Sequence, residues 1–225
     1  GSEMCIRDSS MGAMAVQSYG IEYPGDVDGI VSNGGGIFMN PWGRSTQYPQ
    51  TIVADNLTEK ERNASPALTK KLPLESMTSY QSKLLPKALK DRRNFTAPSV
   101  TAASRTVRVK NPLSNGVCTD QTVVDDYVAD PLNNKDFTVG MVEQMSVAQV
   151  YNAVNAPDFT TPTLIMHGQS DGIAPPYLDI NWLNAIGSND KTGYEWSGLM
   201  HEIFNEPVKD QPINKVVDWI NNHNK

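Results

Sequence analysis

At 225 residues, with 39% hydrophobic and 20% charged side chains, the chain carries enough apolar material for one large domain, and it reads as soluble and globular. A formal net charge of -6, with no basic stripe and no arginine-rich helix, argues against nucleic acid or an anionic membrane as a partner. No run of about 18 apolar residues exists to span a membrane, and Cys5 and Cys118 offer neither a disulfide framework nor metal-ligand spacing, so no metal is expected.

In chain order, apolar or small side chains at positions 11, 14, 15, 16, 19 and 21 follow the helical period, and Pro24-Gly25 stops the segment. The spacing predicts a helix of roughly three turns. Val27 to Gly36, VDGIVSNGGG, reads as a short buried strand opening into a glycine loop. From Pro41 to about residue 158 the chain turns polar and proline-punctuated, with amphipathic pieces at Ser76 to Asn94 and Thr122 to Val128. Such a stretch suits a largely helical cap inserted into a sheet domain. The apolar run TPTLIMHG, Thr161 to Gly168, predicts a strand, Leu178 to Gly187 a helix closed by its glycine, Thr192 to Gly198 a strand and Ile213 to His223 a terminal helix. Strands and helices alternating in this way predict an α/β fold with a mainly parallel sheet and right-handed crossovers. The expected division is a leader at 1–9, a sheet core at 10–40 and 159–225, and a cap at 41–158.

Serine-based nucleophilic catalysis needs a hydroxyl on a sharp turn, a histidine to take its proton and a carboxylate to orient that histidine. The chain has three histidines. His223 lies in the terminal tail and His167 ends an apolar strand, a setting that suits a structural histidine. His201, in SGLMHEIFNEP, follows a glycine-containing turn after the last strand, where an exposed, mobile imidazole is expected. Asp171, in HGQSDGIAPP, lies just beyond a strand's carboxyl end, where open α/β sheets gather functional groups. Ser10, in DSSMGAM, precedes the first helix, and the order Ser10, Asp171, His201 is the Ser…Asp…His order of one fold in particular.

On these residues the sequence resembles the α/β-hydrolase superfamily, specifically its monoacylglycerol lipase and lysophospholipase-like branch. SMGAMAVQSYGIEYPGDVDGIVSN resembles that branch's nucleophile elbow, following helix and next strand; DDYVADPL resembles its cap exit, and TPTLIMHGQSDGIAPP and GLMHEIFNEP its acid and histidine loops. The resemblance covers about residues 10 to 225. It implies Ser10 as nucleophile, Asp171 as acid, His201 as base and the backbone N–H of Met11 as one oxyanion donor, with no metal or organic cofactor.

Two departures stand out. The elbow pattern G-x-S-x-G has small residues two before and two after the serine; here Gly12 is present but Asp8 stands at the earlier position. Ser9 lacks a glycine two residues later. In the resembled family several strands, and the loop giving the second oxyanion donor, precede the elbow, whereas here only GSEMCIRDS does. That nonapeptide resembles a tag remnant joined to SEMCIRDS, a peptide that arises when a sequencing adaptor is translated at the edge of an environmental read. A truncated open reading frame is therefore expected, with Met4, Cys5 and Ile6 imitating the tail of the missing strand. An exposed sheet edge then predicts a homo-oligomer, as a dimer joined near residues 2 to 30, with the cap as second surface.

The expected activity is hydrolysis of small to medium acyl esters or lipids through an acyl-enzyme. Phe38, Met39, Trp42, Met77 and Tyr80 are candidate lining for an acyl pocket. Two other readings stay open: a catalytically silent remnant that self-associates or binds hydrophobic molecules, and a peptidase or thioesterase using the same triad. The compartment is not legible.

Overall fold

The computed structural model describes residues 5–42, 52–55, 74–96, 98–99, 101–111 and 116–223, with only the backbone considered at 5–6, 52–55 and 74–78. In chain order the elements are β1 (Cys5–Ser9), α1 (Met11–Glu22), β2 (Gly29–Asn33), β3 (Ile52–Asp55), α2 (Leu74–Lys90), α3 (Ala102–Thr106) and β4 (Arg108–Lys110). They continue with α4 (Gln121–Ala129), β5 (Asp136–Thr138), α5 (Val139–Asn155), β6 (Thr163–Gly168), α6 (Tyr177–Ala185), β7 (Lys191–Trp196) and α7 (Asp210–His223).

The main sheet is parallel throughout, in spatial order β1-β2-β6-β7-β3, and β4 and β5 form a separate antiparallel ribbon. All five residues of β2 and all six of β6 are buried, as expected of central strands covered on both faces. The strand period of two sorts their side chains. Ile30 and Ile165 join Val16, Ile21, Phe159 and Trp182 in one core, while Val31, Leu164 and Met166 join Trp196, Ile203, Val216 and Trp219 in another. The first core is covered by α1 and α6, the second by α7. A third cluster sets Leu84, Ala88 and Phe95 against Val147, Val150 and Val154, so α2 packs on α5.

Three expectations need adjustment. Residues 5–9, assigned to a leader whose Met4, Cys5 and Ile6 were expected to imitate a strand's tail, run as a longer strand: Cys5 pairs with Gly29 and Ser9 with Asn33 in unbroken parallel register. The reason is local, since a five-residue segment entering a turn finds a complementary edge on β2. Residues 52–55, read as cap, instead add a strand beside β7, with Ile52 opposite Gly193 and Asp55 opposite Trp196. The carboxyl-terminal turns of α5, also read as cap, reach the sheet core through Ala153. The predicted helices and strands elsewhere in the sheet region fall within a few residues of their observed bounds.

Candidate active site

Parallel register aligns the carboxyl ends of the strands. Ser9 lies opposite Asn33, Asn33 opposite Met166, and Gly168 opposite Trp196, so the segments leaving β1, β2, β6 and β7 emerge at one edge. Ser10, Gly34, Asp171 and His201 all sit on those segments.

Ser10 separates β1 from α1 with φ 57 and ψ -122, and it is the one non-glycine residue with positive φ among the described residues. A side-chain-bearing residue in this region is strained by about 1–3 kcal/mol, and the surroundings must hold it there. Its N–H donates to the Asn33 carbonyl at 2.8 Å, which pins the turn to β2. Asp8, where a small residue was anticipated, is accommodated by turning outward: it is exposed, and its Oδ1 accepts from the Ser9 N–H at 2.8 Å. Its carboxylate nevertheless fills the space beside Gly12, where a Cβ would stand 2.0 Å from Oδ1. Met11 opens α1, so its N–H is among the first four of the helix, which lack intrahelical acceptors.

Asp171 and His201 come together. His201 Nδ1 lies 2.7 Å from Asp171 Oδ2, and Asp171 Oδ1 accepts from the N–H groups of Ile173 and Ala174 at 2.8 and 2.9 Å. Burial works against the Asp171 charge, but the His201 and His167 imidazoles outweigh it and hold the carboxyl well below the usual carboxylate range. The exposed imidazole expected at position 201 is instead 2% exposed, because the loop folds back over the sheet end. His201 Nε2 is buried and has no hydrogen-bond partner, and no hydrogen bond joins it to Ser10. Gly34, with φ 60, brings the backbone close to the ring: a Cβ there would stand 3.0 Å from His201 Cε1.

Two supporting residues escaped the sequence reading. Asn33 is 1% exposed; its Nδ2 donates to Ser9 Oγ at 3.0 Å and to the His201 carbonyl at 3.1 Å, tying the elbow to the histidine loop. Glu206 is fully buried; Oε1 accepts from the Met200 N–H at 2.7 Å, and Oε2 accepts from the Thr119 N–H at 3.1 Å and from its hydroxyl. The Glu202 N–H also donates to the Val117 carbonyl at 2.7 Å. The segment 117–119 is thereby fastened to the histidine loop. A glutamate following a candidate histidine was the available signal, but Glu202 and Glu206 look alike in sequence.

The candidate pocket residues have the following contacts. The Phe38 ring meets Tyr177 edge-on with centroids 6.5 Å apart, and Met39 Sδ accepts from Ser82 Oγ at 3.8 Å. Trp42 packs on the first core and donates from Nε1 to the Ala153 carbonyl at 2.9 Å, and Tyr80 packs on the α2–α5 cluster. The side chain of Met77 lies outside the described residues. Among the described residues no cluster of three or more His, Cys, Asp or Glu could hold a metal, and no helix is long and apolar enough to cross a membrane.

A parallel sheet with helices on both faces and a positive-φ serine at a strand-to-helix turn give the chain the architecture of an α/β-hydrolase. Within that class it belongs to the family described as Hydrolase_4, serine aminopeptidase S33, whose profile matches residues 4–208. It is 28% identical over 118 residues to a monoacylglycerol lipase of Mycolicibacterium smegmatis, covering 52% of this chain and 42% of that protein. It is 41% identical over 49 residues to phospholipase YtpA of Bacillus subtilis, covering 22% of this chain and 19% of that one. Among solved structures, the monoacylglycerol lipase of Paleococcus ferrophilus superposes on all of this chain and 70% of its own, with TM-score 0.67 at 20% identity. A soluble variant of monoglyceride lipase from Saccharomyces cerevisiae, in complex with a substrate analog, gives TM-score 0.66 at 18% identity and is covered over 64% of its length. The chain thus spans less than half of these curated relatives and about two thirds of the structures.

Proposed function

We propose that this chain is a serine hydrolase of carboxylic esters, with small to medium acyl esters or lipids as substrates. The observation that carries the reading is the buried Asp171–His201 pair, with an unpartnered Nε2, at the strand end where Ser10 holds a left-handed backbone. In this mechanism the Ser10 hydroxyl attacks the ester carbonyl while His201 Nε2 takes its proton. Asp171 keeps the other nitrogen protonated and stabilises the imidazolium. The Met11 N–H, at the positive end of α1, donates to the oxyanion. His201 then protonates the departing alcohol, and a water activated by the same nitrogen releases the acid. The lipase names of several relatives support the ester reading.

Residues 41–158 serve on this account as a cap, supported by the fastening of Val117 and Thr119 to the histidine loop. Phe38 and Met39, just beyond the glycine loop, are its candidate acyl contacts. Pairing of two copies of the chain is part of this reading, and light scattering at several concentrations tests it. The family description favours a second substrate class, peptide amides, because the triad specifies acyl transfer and not the leaving group. Parallel assays of p-nitrophenyl butyrate and aminoacyl anilides, with His201→Gln and Asp171→Asn as controls, separate the two. Ester turnover lost in both variants is expected; anilide turnover alone would reassign the substrate, and turnover surviving in both variants would remove the triad.

A further inference from the structure

His167 is the penultimate residue of β6, four residues before Asp171, and the mechanism above gives it no part. Its side chain is 2% exposed. Nδ1 lies 2.6 Å from Asp179 Oδ2, in the first turn of α6; Nε2 lies 2.6 Å from the Ala174 carbonyl oxygen and 3.3 Å from Asp171 Oδ2. A neutral imidazole has one N–H and one bare lone pair, whereas a carbonyl oxygen only accepts and an ionised carboxylate only accepts. A neutral ring would therefore direct a lone pair at an acceptor from 2.6 Å on one of its two sides. A ring with two N–H groups satisfies both.

We propose that His167 is a standing imidazolium, a positioning residue that holds Asp171 and, by its charge, moderates how tightly His201 keeps a proton. The proposal deepens the serine-hydrolase reading and rests on it for its catalytic consequence. The charges facing the site come from several elements. Asp171 and Ala174 follow β6, Asp179 projects from α6, His201 comes from the loop after β7, and Glu195 and Tyr194 of β7 line a small cavity shared with His167 and Asp179. With His167 charged, Asp171 and Asp179 ionised and His201 neutral, this group of four carries one net negative charge. Protonating His201 brings it to zero. Without the His167 charge the same step would start from two negatives, so His201 would bind its proton more tightly and more of the enzyme would be held in the inactive, protonated form. Burial alone would drive His167 neutral, but its bonds and charge contacts with Asp171 and Asp179 prevail and raise its pKa well above the ordinary imidazole value.

The test is a 1H–15N spectrum of the full chain labelled in its imidazole rings. Only three histidines occur, so His201→Gln and His223→Gln assign the His167 signals by elimination. Two N–H groups on His167, unchanged over roughly two pH units on either side of ~6.5, are expected. One bare nitrogen, with the proton residing on Asp179, would overturn the proposal. In His167→Gln the His201 imidazole signals should change at a higher pH than in the parent chain, and an unmoved change in a folded variant would remove the moderating role. The wild-type spectrum decides the protonation state even if that variant does not fold. Both readouts are independent of turnover, so a chain that fails to hydrolyse esters refutes the functional reading and leaves the protonation of His167 separately decided.

Discussion

Gly168 closes β6 directly beneath the histidine loop. A Cβ placed there would stand 2.0 Å from the Met200 carbonyl oxygen, 2.6 Å from that of Leu199 and 2.8 Å from the Leu199 carbonyl carbon. These are backbone atoms, so no side-chain rotation relieves the contact, and Leu199 O is already committed to the Ser170 N–H at 2.8 Å. Reaching ordinary van der Waals distance requires the loop to retreat by about 1 Å or more, and a misplacement of that size in a catalytic constellation costs on the order of 100-fold. Overpacking of a close-packed site costs about 1–3 kcal/mol, or about 2–12 °C in melting temperature for a chain of this length. Gly168→Ala should therefore stay folded, melt lower, and lose kcat for a short-chain p-nitrophenyl ester far more than it loses KM. A variant that keeps kcat within about threefold of the parent and melts at the same temperature would refute the reasoning, because the loop would then not depend on this contact.

Three further predictions come from neighbouring atoms. Ser10→Gly should melt about 2–12 °C above Ser10→Ala, because glycine relieves the left-handed backbone that alanine retains; equal melting temperatures would mean that the turn stores no strain. Glu206→Gln places an NH2 group against the Thr119 donors and should cost about 1–3 kcal/mol, lowering both melting temperature and kcat; unchanged values would contradict the fastening role. For pH, the signs differ at the two ends. Asp171, depressed in the folded state, contributes stability that is present above its ordinary value of 3.8 and is lost as pH falls through the depressed value. His167, raised in the folded state, contributes fully below 6.5 and loses that contribution as pH rises through the raised value. Melting temperature should thus fall on the acid side less steeply in Asp171→Asn, and on the alkaline side less steeply in His167→Gln; profiles parallel to the parent would contradict these assignments.

Local pattern carried most of the sheet region. The helix at α1, the apolar run of β6 and the glycine and proline stops reflect short-range physics, although Met11 and Ala15 of the period read in α1 are exposed while Gln17 and Gly20 are buried; the chain order of Ser10, Asp171 and His201 was readable without coordinates. What could not be read was pairing at a distance. Residues 5–9 announced no more than a strand's tail, at Met4 to Ile6, and 52–55 become a strand only beside β7. The long helix α5 lies in a stretch taken as cap, although its far end serves the sheet core. Burial of His201, and the choice of Glu206 over Glu202 as the loop's acceptor, follow from how the last loop folds over the sheet edge. His167 was legible as buried, but its acceptors lie 7 and 12 residues further on, at Ala174 and Asp179, and only the turn between them brings both to one ring.

The central claim is that Ser10 is a working nucleophile. Intact mass after incubation with a fluorophosphonate, for the parent chain and Ser10→Ala side by side, tests it most directly. The account predicts one adduct on the parent and none on the variant. A folded parent that takes no label, or an adduct that survives Ser10→Ala, would contradict it.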